Sequence, residues 1–210
     1  WSAMKKGIFI QARMSSKRFP NKMLKNLGDI SLIQYVYNNC TNSKQADIIA
    51  VITSVERSDD ALANHCRDNN ILVYRGSLDN VLDRYINAAK HFECELIGRV
   101  CGDSPFVDID NLDNMFVTAY YQNMEYVRFE QAVPGLLSEV VHISALESIK
   151  KMTSKKDDLE HVTKFILSHK DKFIVDIKKC PRKCGFSYTV DHKEDLDLCN
   201  DFIGNGEVVG

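Results

Sequence analysis

Four short apolar runs set the rhythm of the first half of this chain: residues 7–10 (GIFI), 47–53 (DIIAVIT), 71–74 (ILVY) and 95–101 (ELIGRVC). They are short and nearly continuous in apolar character, as strands covered on both faces are. Helical spacing fills the gaps between them. Residues 31–39 place Leu32, Ile33, Val36 and Tyr37 on one face, and Ser58 or Asp59 opens a helix through Ala61, Leu62 and Cys66. After a turn at Arg75-Gly76-Ser77, residues 79–92 align Val81, Leu82, Tyr85, Ala88 and Ala89, and residues 110–121 are helical again. This βαβαβαβα succession with short connections predicts an α/β fold, a mostly parallel sheet with helices on both faces.

Beyond Asn123 the rhythm breaks, and a small α+β extension is expected. Residues 125–129 and 137–142 read as strands around Pro134-Gly135, 144–151 and 159–169 as helices flanking a lysine-rich joint at 153–158. Residues 173–177 and 186–190 read as strands, and 194–202 as a closing helix. The chain has 210 residues, 44% hydrophobic and 27% charged, enough for one domain with one principal core. Residues 4–210 are taken as that domain, with Trp1-Ser2-Ala3 an expression scar. Seven scattered cysteines without a signal peptide predict reduced thiols in a cytoplasm, and no apolar run is long enough to cross a membrane.

With a net charge of −2, any anion site must be local. The segment 8–22 supplies it: a strand gives way to a loop with Arg13, Lys17, Arg18 and Lys22, four cations in ten residues, and Ser15, Ser16, Pro20 and Asn21 deny it a helix. Guanidinium groups fork onto phosphate oxygens, and ammonium groups add point charge. The loop is neither a Walker sequence nor a dinucleotide fingerprint; a solvated basic loop is the alternative. Asp103 follows the strand 95–101 and would put a carboxylate at the ligand-binding edge of the sheet, although Asp103-Ser104-Pro105 is also a simple turn. Asp191 ends residues 186–190, or else Asp191 or His192 starts the last helix in a capping box with Glu194. Two strand-end carboxylates and one cationic loop suit a metal–triphosphate complex.

Five stretches in order resemble the acylneuraminate cytidylyltransferase superfamily, in its spore-coat-polysaccharide branch: 11–22 (QARMSSKRFPNK), 75–84 (RGSLDNVLDR), 99–105 (RVCGDSP), 160–163 (EHVT) and 189–191 (TVD). The resemblance covers nearly the whole chain. It implies a Rossmann-like core that transfers CMP from CTP to a sugar or sugar-phosphate acceptor, releasing pyrophosphate, for surface polysaccharide or glycoconjugate synthesis. The alternatives are a guanylyltransferase acting on a sugar 1-phosphate and a non-catalytic nucleotide-binding module. By the resemblance Gln11, Ala12, Arg13, Ser16, Arg18 and Lys22 hold the triphosphate, with Arg13, Arg18 and Lys22 catalytic. Arg75, Gly76, Asn80 and Arg84 line the base and ribose, Asp103 and Asp191 hold Mg²⁺, and Arg99, Glu139, Glu160 and His161 face the acceptor. The region 124–170 is implied to build a homodimer or the acceptor side, with the stripe Val162, Phe165 and Ile166 either interface or core. Neither nucleic acid nor membrane is expected as a partner. Three departures from the family pattern bear on base and acceptor: Ser15 for a frequent Gly, Asn80 for an acidic residue, and Leu137 for another. Cys180 and Cys184 are expected to be structural thiols rather than half of a zinc site, and the Lys150, Lys151, Lys155 and Lys156 cluster a solvated joint.

Overall fold

The computed structural model describes residues 4–130, 133–136, 138–180 and 187–204. The apolar runs become strands where expected. β1 (Lys6–Gln11) leads into the cationic loop, which ends in a 3-10 turn at Lys22–Leu24 and a two-residue hairpin, β2 (Asn26–Leu27) and β3 (Ile30–Ser31). Ser31 caps α1 (Leu32–Cys40) by accepting from the Gln34 amide. β4 (Ile48–Ser54), α2 (Asp60–Asp68), β5 (Leu72–Gly76), α3 (Val81–Phe92), β6 (Leu96–Cys101) and α4 (Ile109–Tyr121) follow in alternation. The extension holds β7 (Tyr126–Glu130), β8 (Glu139–His142), α5 (Ile143–Met152), α6 (Lys156–His161), α7 (Lys164–Ser168) and β9 (Val175–Lys179), and α8 (Lys193–Gly204) closes the described chain.

The large sheet runs β5-β4-β1-β6-β8-β7-β9. β5, β4, β1 and β6 are parallel, and only β8 is reversed, pairing antiparallel with both β6 and β7. The chain leaves β1 toward β4 on one side and returns to β6 on the other. Such a switch point opens a crevice outside the carboxyl ends of the two strands, the place where open α/β sheets take ligands.

Alternation along the strands splits the core in two. Ile8, Ile10, Val51, Leu96 and Val100 pack on one face against Leu32, Val36, Leu62, Phe116 and Leu196. Phe9, Ile52, Ile97, Tyr126 and Val141 pack on the other against Leu82, Tyr85, Leu146 and Ile166. The stripe Val162, Phe165 and Ile166 belongs to this second core, with exposures of 0%, 6% and 0%, so its apolar face is satisfied within the chain.

Several expectations are corrected. Residues 159–169 are not one helix: α6 and α7 are separated at Val162, whose φ of 51° breaks the hydrogen-bond ladder. The polar joint 153–158 is partly helical, because α6 begins at Lys156. The strand expected at 173–177 sits two residues later, as β9. Residues 187–190 join no sheet; the Tyr188 amide donates to the Pro134 carbonyl, the Val190 amide to the Asp103 carbonyl, and the Thr189 amide to the Ser187 hydroxyl. Phe186, Leu137 and Cys184, which entered the expectations for two strands and for a zinc half-site, lie outside the described residues.

Candidate active site

Lys22 is the centre of the crevice. It lies in a 3-10 turn and is 6% exposed, with its stem in the core and its ammonium surrounded by acceptors. Its Nζ donates to Asp103 Oδ2 at 2.7 Å and to the Val190 carbonyl at 2.8 Å, and approaches Asp191 Oδ1 at 3.5 Å. Arg18, exposed on the loop, donates to the same Asp191 oxygen at 2.9 Å. Segments some eighty residues apart in sequence are thus brought to one point. Asp103 arrives on the turn after β6. Asp191 arrives on an irregular segment, not a strand, whose Val190 amide donates to the Asp103 carbonyl. The capping box does not form as expected: Asp195, not Glu194, accepts from the Asp191 and His192 amides.

Close approach of the two loops depends on Gly102. A Cβ there would lie 2.9 Å from the Ala12 Cβ and 3.2 Å from the Gln11 carbonyl oxygen. The cationic loop has an anchor that sequence reading assigned elsewhere. Asp59, expected to cap α2, instead sends its fully buried carboxylate to the Met14 amide at 2.7 Å and to the amide and hydroxyl of Ser54. Ser16 folds back to accept from the Phe19 amide, Ala12 is buried and continues the sheet by donating to the Ile52 carbonyl, and Arg13 stays exposed.

The residues expected around the base divide. Arg84 is 2% exposed and donates to the Ser77 carbonyl, while its Nε meets no acceptor among the described residues. Burial pulls its pKa below the ordinary arginine value, and Arg13 nearby adds to the effect against the pull of Tyr85 and Asp59. Gly76 lies against its stem, where a Cβ would meet Arg84 Cγ at 3.0 Å. Arg75 and Asn80 are otherwise engaged. Arg75 donates to the Ser54 and Glu56 carbonyls and pairs with Asp60 at 2.7 Å; Asn80 caps α3 by accepting from the Asp83 amide.

A second polar cluster lies further along the sheet, on its α3 face. Arg99 on β6 is directly opposite Glu139 on β8. Glu139 Oε1 accepts from Arg99 and from the Thr163 hydroxyl, and Oε2 from the Tyr126 hydroxyl. Arg99 also donates to Thr163 at 2.9 Å, lies 4.8 Å from the Tyr85 ring centre, and reaches toward Gln11 Oε1 at 3.5 Å. Burial pushes the Glu139 pKa up, but Arg99, Tyr126 and Thr163 outweigh it and hold the carboxyl below its ordinary value. Glu160 and His161 do not join this cluster: both are exposed, and His161 faces Asp157 at 3.4 Å. Thr163, from the same EHVT stretch, does join it, and the only sequence signal for it was its place in that motif.

Cationic loop, paired carboxylates and buried arginines together are equipped to hold a polyphosphate. Comparison with known proteins then decides the family, since the family model for cytidylyltransferases matches residues 8–202. The chain belongs to the cytidylyltransferase family. This cytidylyltransferase is 34% identical to the spore coat polysaccharide biosynthesis protein SpsF of Bacillus subtilis over 198 residues, covering 90% of this chain and 82% of that protein. It is 34% identical to the uncharacterized protein MJ1063 of Methanocaldococcus jannaschii over 192 residues, covering 90% and 79%. The solved structure of a cytidylyltransferase from Leptospira borgpetersenii superposes with a TM-score of 0.90 at 28% identity, covering 96% of this chain and 87% of that one. The chain is accordingly a nucleotidyltransferase enzyme of mostly parallel α/β architecture.

Proposed function

We propose that this cytidylyltransferase moves CMP from CTP to a sugar or sugar-phosphate acceptor for polysaccharide synthesis, in the cytoplasm and as a homodimer. The observation that carries the reading is the convergence of Lys22 and Arg18 with Asp103 and Asp191 at the switch point of the sheet. Family membership and the likeness to SpsF support the choice of cytidine and of a polysaccharide precursor. The acceptor oxygen, a phosphate oxygen or a sugar hydroxyl whose proton passes to water, forms a bond to the α-phosphorus, the bond from that phosphorus to the bridging oxygen breaks, and pyrophosphate leaves with the electron pair. Arg13, Arg18 and Lys22 neutralise the charge that gathers on it.

The donor set fits a hard dication, because two carboxylates already share one cationic partner. Asp103 and Asp191 are the residues that would hold Mg²⁺, which supplies charge withdrawal from the phosphate oxygens. Arg84, buried without an ion pair among the described residues, is the donor in reserve on the base and ribose side. Arg99 and Glu139 form the acceptor side. The dimer would use surfaces other than the buried Val162, Phe165 and Ile166 stripe, and sedimentation at micromolar concentration checks it.

The test is pyrophosphate release with each of the four nucleoside triphosphates over a panel of sugar acids and sugar phosphates. Release with CTP is expected. Asp103→Asn should remove turnover while leaving triphosphate affinity within a few-fold of the parent. Absence of release and of binding with every triphosphate overturns the reading, and release with GTP alone replaces it with guanylyl transfer.

A further inference from the structure

The buried pair Arg99–Glu139 is completed by a residue from outside the sheet, and the backbone that delivers it is strained. Between α6 and α7 the Thr163 amide donates back to the His161 carbonyl at 2.6 Å, closing a three-residue turn. Val162 at its apex has φ 51° and ψ −68°. A turn of this hand is rare even for small residues, and a β-branched residue is the least suited to it. Val162 is nonetheless 0% exposed and packed in the second core. Thr163 is itself 4% exposed, with its hydroxyl donating to Glu139 at 2.8 Å and accepting from Arg99 at 2.9 Å. Strain that survives in a packed site points to a positional requirement.

We propose that the His161–Val162–Thr163 turn is a positioning device for the acceptor side of the site: the buried valine holds the strained backbone, and the Thr163 hydroxyl locks Arg99 and Glu139 to each other. The proposal rests on the acceptor-side reading given above. It makes Thr163 a positioning residue. Glu139, with both oxygens engaged, serves to orient Arg99 and not to accept a proton from substrate. The groups facing Glu139 are Arg99 and Cys101 from β6, Tyr126 and Arg128 from β7, and Thr163 from the turn.

Acid unfolding, followed by circular dichroism on the full chain, tests the lock without any ligand. Thr163→Val removes a donor to the Glu139 carboxylate and should move the acid midpoint upward in pH. Thr163→Ser should restore it, and Thr163→Val placed on Glu139→Gln should give a smaller further shift, because only the Arg99–Thr163 hydrogen bond is left to lose. Val162→Gly allows the same backbone angles without the anchor and should shift the midpoint in the same direction. Alongside, CTP affinity with Mg²⁺ should stay within twofold in Thr163→Val. Its kcat/KM for N-acetylneuraminate (a sugar acid) or glucose 1-phosphate (a sugar phosphate) should fall about tenfold, the scale of one hydrogen bond to a charged group. An unmoved midpoint in Thr163→Val, a shift undiminished on Glu139→Gln, or CTP affinity falling as far as acceptor kcat/KM overturns the lock. A midpoint in Val162→Gly equal to the parent's overturns the anchoring role of the valine. A parent protein that releases no pyrophosphate with either acceptor counts against these two acceptors as substrates and not against the lock, which acid unfolding decides by itself.

Discussion

At the scale of single residues, Lys22 and Glu139 answer opposite questions about buried charge. Lys22 brings one positive charge to two carboxylates and a carbonyl, so its removal strips Asp103 of its cation and leaves Asp191 with Arg18 alone. Lys22→Met is expected to lower turnover on the order of 10²-fold, the cost of losing one preorganised donor, as measured by pyrophosphate release. Glu139 is an anion supplied with three donors. Because its folded pKa lies below the ordinary glutamate value of 4.5, its contribution to stability is present above that value and is lost as the pH falls below it. Glu139→Gln should therefore flatten the acid limb of the stability profile. Arg99→Met, which leaves the carboxylate buried and unpaired, should cost about 3–5 kcal/mol in urea unfolding at neutral pH.

At the scale of elements, the cationic loop is organised from behind. Asp59 ties its Met14 amide to the end of β4, and Arg75 ties the adjoining turn to Asp60 and two carbonyls. Asp59→Ala leaves buried donors unsatisfied and is expected to cost about 1–3 kcal/mol of stability, with a raised KM for CTP because the loop loses its register. Gly102 acts where the loops after β1 and β6 touch. A methyl group there has backbone and Ala12 in its way, so Gly102→Ala should reduce turnover even in protein that still folds, as judged by circular dichroism beside pyrophosphate release. The turn at Val162 costs about 1–3 kcal/mol by the usual scale of such backbone strain, and the second core around it offsets that cost.

At the scale of the whole molecule, a ligand that bridges the loops after β1 and β6 and the segment before α8 binds only the folded chain. CTP with Mg²⁺ at 100 times its dissociation constant should add about 2.7 kcal/mol, read as a thermal shift that a chelator reverses. What the amino-acid order determined unaided was the succession of elements. Short apolar runs such as 47–53 read as strands covered on both sides, and helical spacing between them gives a parallel sheet with its cationic loop at one edge. It also announced Arg18, Lys22, Asp103 and Asp191 as a group, because a cationic loop and two carboxylates suit one metal–polyphosphate ligand at the edge of such a sheet. Only the tertiary structure decided what each side chain is engaged with: Asp59 leaves a helix end for a distant amide, Asn80 and Arg75 are taken by local backbone, and Thr163 rather than His161 reaches Glu139. The physical reason is range. Periodicity and capping are set by neighbours three or four residues away. The partner of a buried polar group is chosen by whichever group the packed core brings within hydrogen-bond reach, and for Lys22 those groups lie 81 and 169 residues further along the chain.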